Sequence, residues 1–154
     1  MNTWLISLLV NNHYGVLNRI TGLFSRRGYN IASLSVGETN RPELSRITIQ
    51  THTDGAGINQ VMKQLGKLED VKKVSLLPGA ETVARELLLI KLITREKLFE
   101  DISAFEYKTA YSDGSRVVLE FYGTPAQCEA FLDALSQHTI LELCRTGITA
   151  MGTL

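Results

Sequence analysis

The chain has 154 residues, of which 16 are basic and 16 are acidic, so its formal net charge is zero. This balance provides no electrostatic footprint for nucleic acid or for an anionic membrane surface, and neither partner is expected. The amino terminus lacks a basic region before an apolar stretch, and no apolar run reaches the roughly 18 residues of a membrane span. We therefore expect a cytoplasmic protein.

The chemistry-bearing side chains form no catalytic or metal-binding pattern. Cys128 and Cys144 are not arranged as Cys-x-x-Cys, and both lie among periodic apolar residues, which is typical of buried core thiols. The three histidines, His13, His52 and His138, lack metal-ligand spacing. The chain also has no Gly-x-Ser-x-Gly elbow and no Gly-Lys-Ser/Thr phosphate loop. The sequence predicts no catalytic residue and no metal site.

The first half of the chain predicts the order strand, helix, strand, strand, helix, strand. Alternating apolar residues indicate a strand at 3–10, and a helix with apolar residues at helical spacing runs from Gly15 to an end at Gly28. The other strands are expected at 30–37, 44–52 and 71–77, with the second helix after 54–57. This order is typical of the ferredoxin-like βαββαβ unit, in which two helices cover one face of an antiparallel sheet.

The second half repeats this pattern after a short linker. Turn-forming residues predict a linker at 79–84 between a first domain at 1–78 and a second domain at 85–154. Thr124 is predicted as the N-cap of a helix, with Pro125 at the first helical position. The remaining elements are expected as a strand at 85–93, a short helix around 96–104, a hairpin of 106–111 and 116–122, a strand at 140–144 and a closing tail at 147–152. The predicted fold class is α+β, with two tandem ferredoxin-like modules.

The junction between the first strand and the first helix is the candidate binding site. A polar loop from Asn11 to Tyr14 leads into the helix at Gly15. The first N–H groups of a helix have no partner within the helix and carry the positive end of its dipole, so they stabilise a carboxylate or phosphate. A glycine at this point lets a ligand approach the backbone closely.

Other interpretations of this loop and fold are open from the residues alone. Asn12 could cap the helix or shape a turn, Gly15 could relieve a tight bend, and Asn30 could pair with the backbone. A catalytic phosphate loop, as in acylphosphatases, needs an arginine near the anion, and this loop has none. An RNA-binding sheet needs stacking aromatic residues, which the strand at 44–50 lacks.

Three blocks of the first half resemble the regulatory small subunit of acetohydroxyacid synthase, also called acetolactate synthase. They are 15–31, 44–50 and 64–71 with the strand that follows, and they cover most of residues 3–77. The resemblance is looser beyond residue 85, where 85–91 and 131–147 match and 94–111 is shorter than in the family. It implies that the first module is an ACT domain.

The resemblance also implies a function. Members of this family are noncatalytic regulatory subunits in branched-chain amino acid biosynthesis. Such a subunit binds the large catalytic subunit, raises its activity and transmits feedback inhibition by valine or another branched-chain amino acid. Thiamine diphosphate, magnesium and FAD are then expected on the large subunit, and no cofactor is expected on this chain. The alternative is a stand-alone amino-acid-sensing ACT protein without an enzyme partner.

The family further implies where the effector binds. Its ACT domains pair side by side into a homodimer, which also satisfies the open edges of the sheet. The positions that match Asn12, Gly15 and Asn30 are associated with valine binding at the dimer joint, so the resemblance assigns that role to them. Val16 and Ile31 are expected to line the hydrocarbon part of the ligand.

Overall fold

The first half of the chain forms a four-stranded antiparallel sheet with two helices on one face. The computed structural model describes residues 1–154 and places the strands in the order β2-β3-β1-β4. The elements are β1 (Asn2–Asn11), α1 (Val16–Arg26), β2 (Ile31–Glu38), β3 (Leu44–Thr53), α2 (Gly55–Gly66) and β4 (Val71–Leu76). This unit comprises residues 1–83 together with 148–154.

The core of the first unit follows from the alternation along β1. Ile6, Leu8 and Val10 point to the helix side and are at most 1% exposed, where Ile20 and Phe24 of α1 join the same cluster. Burial of each such side chain contributes roughly 1.5–3 kcal/mol, so the periodic residues largely determine how α1 packs.

The ends of both helices are explained by local chemistry. Gly28 follows α1 with a φ of 69°, a left-handed conformation that glycine adopts without steric cost. Asp54 caps α2 by accepting a hydrogen bond from the N–H of Gly57 at 2.6 Å. The end of α1 at Gly28 agrees with the predicted position, whereas α2 begins at Gly55, inside the segment 54–57 that was expected to precede it.

The second half repeats the architecture of the first. Its sheet has the order β6-β7-β5-β8, which corresponds element by element to the order of the first sheet. The elements are β5 (Thr82–Ile93), α3 (Leu98–Asp101), β6 (Lys108–Ser112), β7 (Arg116–Gly123), α4 (Pro125–Ala134) and β8 (Ile140–Arg145). The compact second unit comprises residues 84–147. The fold class predicted from the sequence, two ferredoxin-like modules, is confirmed.

Aromatic packing organises the core of the second unit. Phe121 of β7 stacks on Phe131 of α4 at a centroid distance of 4.3 Å, and Phe105 contacts both rings edge-on. Thr124 begins α4 with a reciprocal capping box, in which its hydroxyl accepts from Gln127 N and its own N–H donates to the Gln127 side chain.

The two cysteines differ in their surroundings. Cys128 lies in the core of the second unit, where burial, followed by the charge of Glu86, raises the pKa of its thiol and keeps it unreactive. Cys144 is exposed on β8, so the prediction of two buried thiols was wrong for this residue. β8 is an edge strand, and all six of its residues are exposed, which its apolar pattern does not reveal.

Two connecting segments differ from the predicted ones. The helix expected around 96–104 is reduced to the single turn of α3, which lacks a side-chain cap. The expected linker at 79–84 is also ordered: Gly79–Glu81 form one 3₁₀ turn, and β5 begins at Thr82 rather than at residue 85.

The last residues of the described chain belong to the first unit. Strand β9 (Thr149–Gly152) pairs with β5, and the N–H of Thr153 donates to Glu81 O at 2.9 Å. On the face of the first sheet opposite the helices, Ile148 N donates to Ser33 Oγ at 2.7 Å and Ala150 N to Thr48 Oγ1 at 3.4 Å. The sequence pattern predicts this tail as part of the second module, whereas hydroxyl acceptors on β2 and β3 hold it on the first.

The helices are all short. The longest, α2, has 12 residues, and none has the length and apolar character that a helix needs to cross a bilayer.

Candidate functional site

Gly15 forms the open start of α1. Its φ of 80° and ψ of −6° place it in the left-handed region, and no side chain caps the helix. The N–H groups of Gly15, Leu17 and Asn18 have no acceptor in the chain, and that of Val16 makes only a long contact of 3.4 Å with His13 O. A Cβ at Gly15 would meet no atom within 4 Å. The helix therefore presents several unpaired donors to open space.

Asn12 braces the loop instead of capping the helix. Its Nδ2 donates to Glu38 Oε1 at 3.1 Å and to Pro42 O at 3.0 Å, while its main-chain N–H donates to Glu43 O at 2.9 Å. The side-chain oxygen accepts no hydrogen bond, so it is available to a ligand donor. The interpretation of Asn12 as an N-cap is excluded by this arrangement.

The base of the loop is held by Asp70, at the end of the turn before β4. Its main-chain oxygen accepts from Asn11 N at 2.8 Å, and its carboxylate accepts from the Asn11 side chain and pairs with Arg19. The hydrogen bond from Asn11 and the charge of Arg19 lower the pKa of the Asp70 carboxyl. The carboxylate therefore stays ionised at neutral pH, while His13 and Tyr14 above it are exposed.

Asn30 and Ile31 lie at the opposite end of the same sheet. Ile31 pairs with Thr51 of β3, whereas Asn11 pairs with Leu44, seven residues earlier on that strand. At about 3.3 Å per residue, these two ends are roughly 20 Å apart. The structure therefore brings Asn12, Gly15 and Val16 together, and it does not bring Asn30 or Ile31 to them within one chain.

The predicted site residues differ in how accessible they are. The main-chain oxygen of Asn30 accepts from Thr51 Oγ1 at 2.7 Å, and its exposed side chain makes no hydrogen bond. Val16 is 3% exposed and belongs to the core, whereas the neighbouring Leu17 is 41% exposed.

Sequence reasoning did not identify Glu38. This residue ends β2 and accepts from Asn12, so it couples the loop to the outer strand of the sheet. The only signal in the sequence is a carboxylate at a strand end, which does not indicate its partner 26 residues earlier. No group of three or more His, Cys, Asp or Glu side chains is arranged to hold a metal ion.

Comparison with known proteins defines the class of this chain. Residues 6–73 match the family model of the AHAS small subunit-like ACT domain, and residues 85–153 match that of the small subunit of acetolactate synthase. The protein is thus an ACT-domain protein with a second ferredoxin-like module.

Full-length relatives specify the family. The acetolactate synthase small subunit of Bacillus subtilis is 40% identical over 96% of this chain and 89% of its own length. The probable acetolactate synthase small subunit of Methanothermobacter thermautotrophicus is 39% identical over 98% of this chain and 93% of its own. The crystal structure of the acetolactate synthase small subunit from Thermotoga maritima superposes with a TM-score of 0.89 at 36% identity, covering 99% of this chain and 98% of that one. The chain belongs to the acetolactate synthase small-subunit family, as the resemblance in its sequence predicted.

Proposed function

We propose that this protein is a noncatalytic regulatory subunit that activates the large catalytic subunit of acetolactate synthase and confers feedback inhibition by valine or another branched-chain amino acid. Membership in the small-subunit family supports association with a large subunit. In this proposal thiamine diphosphate, magnesium and FAD reside on the large subunit, this chain binds none of them, and the complex works in the cytoplasm.

The proposal that an amino acid effector binds here rests on the open start of α1 at Gly15. A free amino acid needs donors for its carboxylate, acceptors for its ammonium group and an apolar surface for its side chain. The unpaired N–H groups at Gly15, Leu17 and Asn18 would bind the carboxylate. The free oxygen of Asn12 would accept from the ammonium group.

A second copy of the chain would supply the other half of this site. β2 is an edge strand and carries no charge before Glu38, whereas the other edge strand, β4, carries Lys72 and Lys73, which discourage pairing. In an antiparallel β2–β2 contact about a two-fold axis, the start of one strand lies beside the end of the other.

This pairing would close the gap between the two groups of site residues. Asn12 is tied to Glu38 at the end of β2, and Asn30 precedes the start of β2. The side-chain oxygen of Asn30 and the apolar surface of Ile31 from one copy would therefore approach Asn12 and Gly15 of the other. The separation of roughly 20 Å within one chain thus supports a homodimeric site.

Inhibition requires that the effector bind the inhibited complex more tightly than the active one, because a ligand with equal affinity for both states shifts nothing. A coupling free energy of about 1–3 kcal/mol corresponds to roughly five- to 150-fold regulation. The effector joins two copies, so its contacts can differ between two arrangements of the dimer.

The test is a pair of substitutions at Gly15. Gly15→Asp introduces a carboxylate where that of the effector would bind, and it should abolish valine binding and feedback inhibition while leaving activation of the large subunit intact. Gly15→Asn is the matched control, because Asn and Asp both tolerate a left-handed backbone and differ mainly in charge. The Asn variant should retain more inhibition. Titration calorimetry and activity assays of the reconstituted complex measure both effects, and full valine inhibition of Gly15→Asp would contradict the assigned site.

A pull-down addresses the partner separately. The tagged chain should co-purify with a large acetolactate synthase subunit and raise its specific activity when the two are mixed. Valine binding without any large-subunit association would favour the stand-alone amino-acid sensor instead.

A further inference from the structure

A second polar site lies on the face of the first sheet opposite α1 and α2. The strand register pairs Leu9 of β1 with Arg46 of β3 on one side and with Lys73 of β4 on the other. Paired residues of antiparallel strands point to the same face, so the backbones of the two cationic residues are about 10 Å apart, on either side of Leu9. Two residues along the same face, Ser7 pairs with Ser75.

Neither Arg46 nor Lys73 forms an ion pair with an acidic side chain. The ion pairs of the first unit are elsewhere, at Arg19–Asp70 and Arg41–Glu43. Arg46 Nη1 donates to Ser7 Oγ at 3.1 Å, and Ser7 is only 5% exposed. This bond orients the guanidinium group, which has further N–H donors left to offer. Lys73 and the Ser75 hydroxyl make no side-chain hydrogen bond in the structure.

The carboxyl-terminal tail forms the opposite wall of this site. The hydrogen bonds of Ile148 and Ala150 to Ser33 and Thr48 direct the tail across the sheet. Beyond them the tail borders a cavity of about 250 Å³. The polar side chains that line it are those of Ser7, Arg46, Lys73, Ser75 and Glu81, and the tail contributes Ala150, Met151, Gly152 and Leu154.

The composition of this cavity suits a small oxyanion. The charged side chains of the lining are the two cations Arg46 and Lys73 and the one acid Glu81, so the side chains alone carry an excess of positive charge. A guanidinium group, an ammonium group and hydroxyls are all donors, and charge-assisted hydrogen bonds from such groups to an anion are the strong ones. The volume is below the usual range for drug-sized ligands, which favours a phosphate group over a larger molecule.

We propose that this cavity binds a phosphate group, either as inorganic phosphate or as a small phosphomonoester, between Arg46 and Lys73. The site is separate from the loop at Gly15, because it lies on the face of the sheet opposite α1 and uses side-chain donors rather than the main-chain N–H groups at the start of α1. A bound anion would connect the sheet to the tail that covers it. Because the ligand binds the folded unit, phosphate would also raise the free energy of unfolding.

The experiment titrates the full chain with orthophosphate, and in a second arm with glycerol phosphate, at constant ionic strength. Phosphorus NMR reports binding directly, and amide chemical shifts of Ser7 and Ala150 locate it. Arg46→Gln and Lys73→Gln should each weaken binding about tenfold or more, because each removes a charged donor. Glu81→Gln should strengthen binding. Tighter binding in one arm identifies the free ion or the ester as the preferred form.

Lys72→Gln is the matched control. Lys72 precedes Lys73 on β4 but does not line the cavity, so its loss changes the net charge by the same amount and should leave binding unchanged. Gly15→Asp should also bind phosphate like the wild type. The proposal is overturned by an absence of binding in both arms, by equal losses in Lys72→Gln and Lys73→Gln, or by amide shifts that centre on Gly15. Lys73 is exposed, so this comparison holds even if Arg46→Gln impairs folding.

Discussion

At the scale of single residues, we expect burial to determine the contribution of each ion pair of Arg145 to stability more than the donor–acceptor distance does. Arg145 donates to both oxygens of Glu86, at 2.9 and 2.8 Å, and to Glu129 at 2.6 Å. The side chain of Glu86 is 3% exposed, whereas that of Glu129 is 60% exposed. Water screens the shorter contact, and only the longer, two-pronged one leaves a buried charge if it is broken.

We therefore predict different costs for the two contacts. Arg145→Met leaves the Glu86 carboxylate buried without a partner and should lower the free energy of unfolding by about 2 kcal/mol or more. Glu129→Gln removes the exposed contact and should cost less than about 1 kcal/mol. Urea denaturation of both variants measures the difference. An equal decrease in the free energy of unfolding of both variants would show that the buried pair with Glu86 contributes no more to stability than the exposed pair with Glu129.

Residues with strong local chemistry were predictable from the sequence. The cap at Thr124 and the left-handed Gly28 depend on neighbours a few positions away, and the structure has both where they were expected. The cap at Asp54 was not predicted, because α2 was expected to begin only after 54–57. Cys144 was not predictable, because apolar periodicity does not distinguish a central strand from an edge strand. The hydrogen bond of Asn12 to Glu38 likewise depends on distant chain segments.

At the scale of elements, the glycine in the middle of α1 is unexpected. A glycine inside a helix costs about 1 kcal/mol relative to alanine, so the sequence alone indicates that α1 approaches another element closely at Gly22. A Cβ at this position would meet only the flexible Arg26 side chain, at 3.4 Å, so no such approach requires a glycine. The residue therefore lowers the stability of α1 without an evident packing role.

Gly22→Ala should accordingly stabilise the first unit by about 1 kcal/mol. Gly57 in α2 provides the contrasting case, because a Cβ there would lie 2.1 Å from Thr53 Oγ1. Gly57→Ala should destabilise the unit. Denaturation midpoints compare the two helix glycines directly, and a destabilised Gly22→Ala would reveal a packing constraint on α1.

The elements that the sequence pattern does not predict are those that depend on tertiary contacts. β1 and α1 have clear periodicities of two and 3.6 residues, which determine their faces. Strand β9 has only four residues and is held by hydroxyls of Ser33 and Thr48, which lie more than 100 positions earlier in the chain. A pattern of local residues cannot indicate such acceptors.

At the scale of the whole molecule, the proposed division of the effector site between two copies leads to a complementation test. Gly15→Asp and Asn30→Ala should each abolish valine binding in their own dimers. In a mixed dimer, one site combines both substitutions and the other has neither. Co-expression with random pairing should then restore roughly one quarter of the wild-type sites.

Calorimetric stoichiometry on the unseparated mixture measures this recovery, and mixed dimers purified with two different tags should bind valine at about one half of their sites. A site contained within one chain would remain defective in every mixed dimer, so an absence of recovery would contradict the division. This feature of the site was implied only by the family resemblance, because the sequence does not reveal that Asn30 and Gly15 occupy opposite ends of the sheet.

The return of β9 to the first sheet makes that unit discontinuous in the chain. Its residues 1–83 are joined by 148–154 only after the whole of 84–147 has been synthesised. The contact of Ile148 with Ser33 spans 115 positions, and such distant contacts slow folding because the entropy of closing a long loop is lost first. Residues 1–83 therefore emerge from the ribosome before the segment that covers one face of their sheet, and a fragment ending at residue 83 would keep that face uncovered.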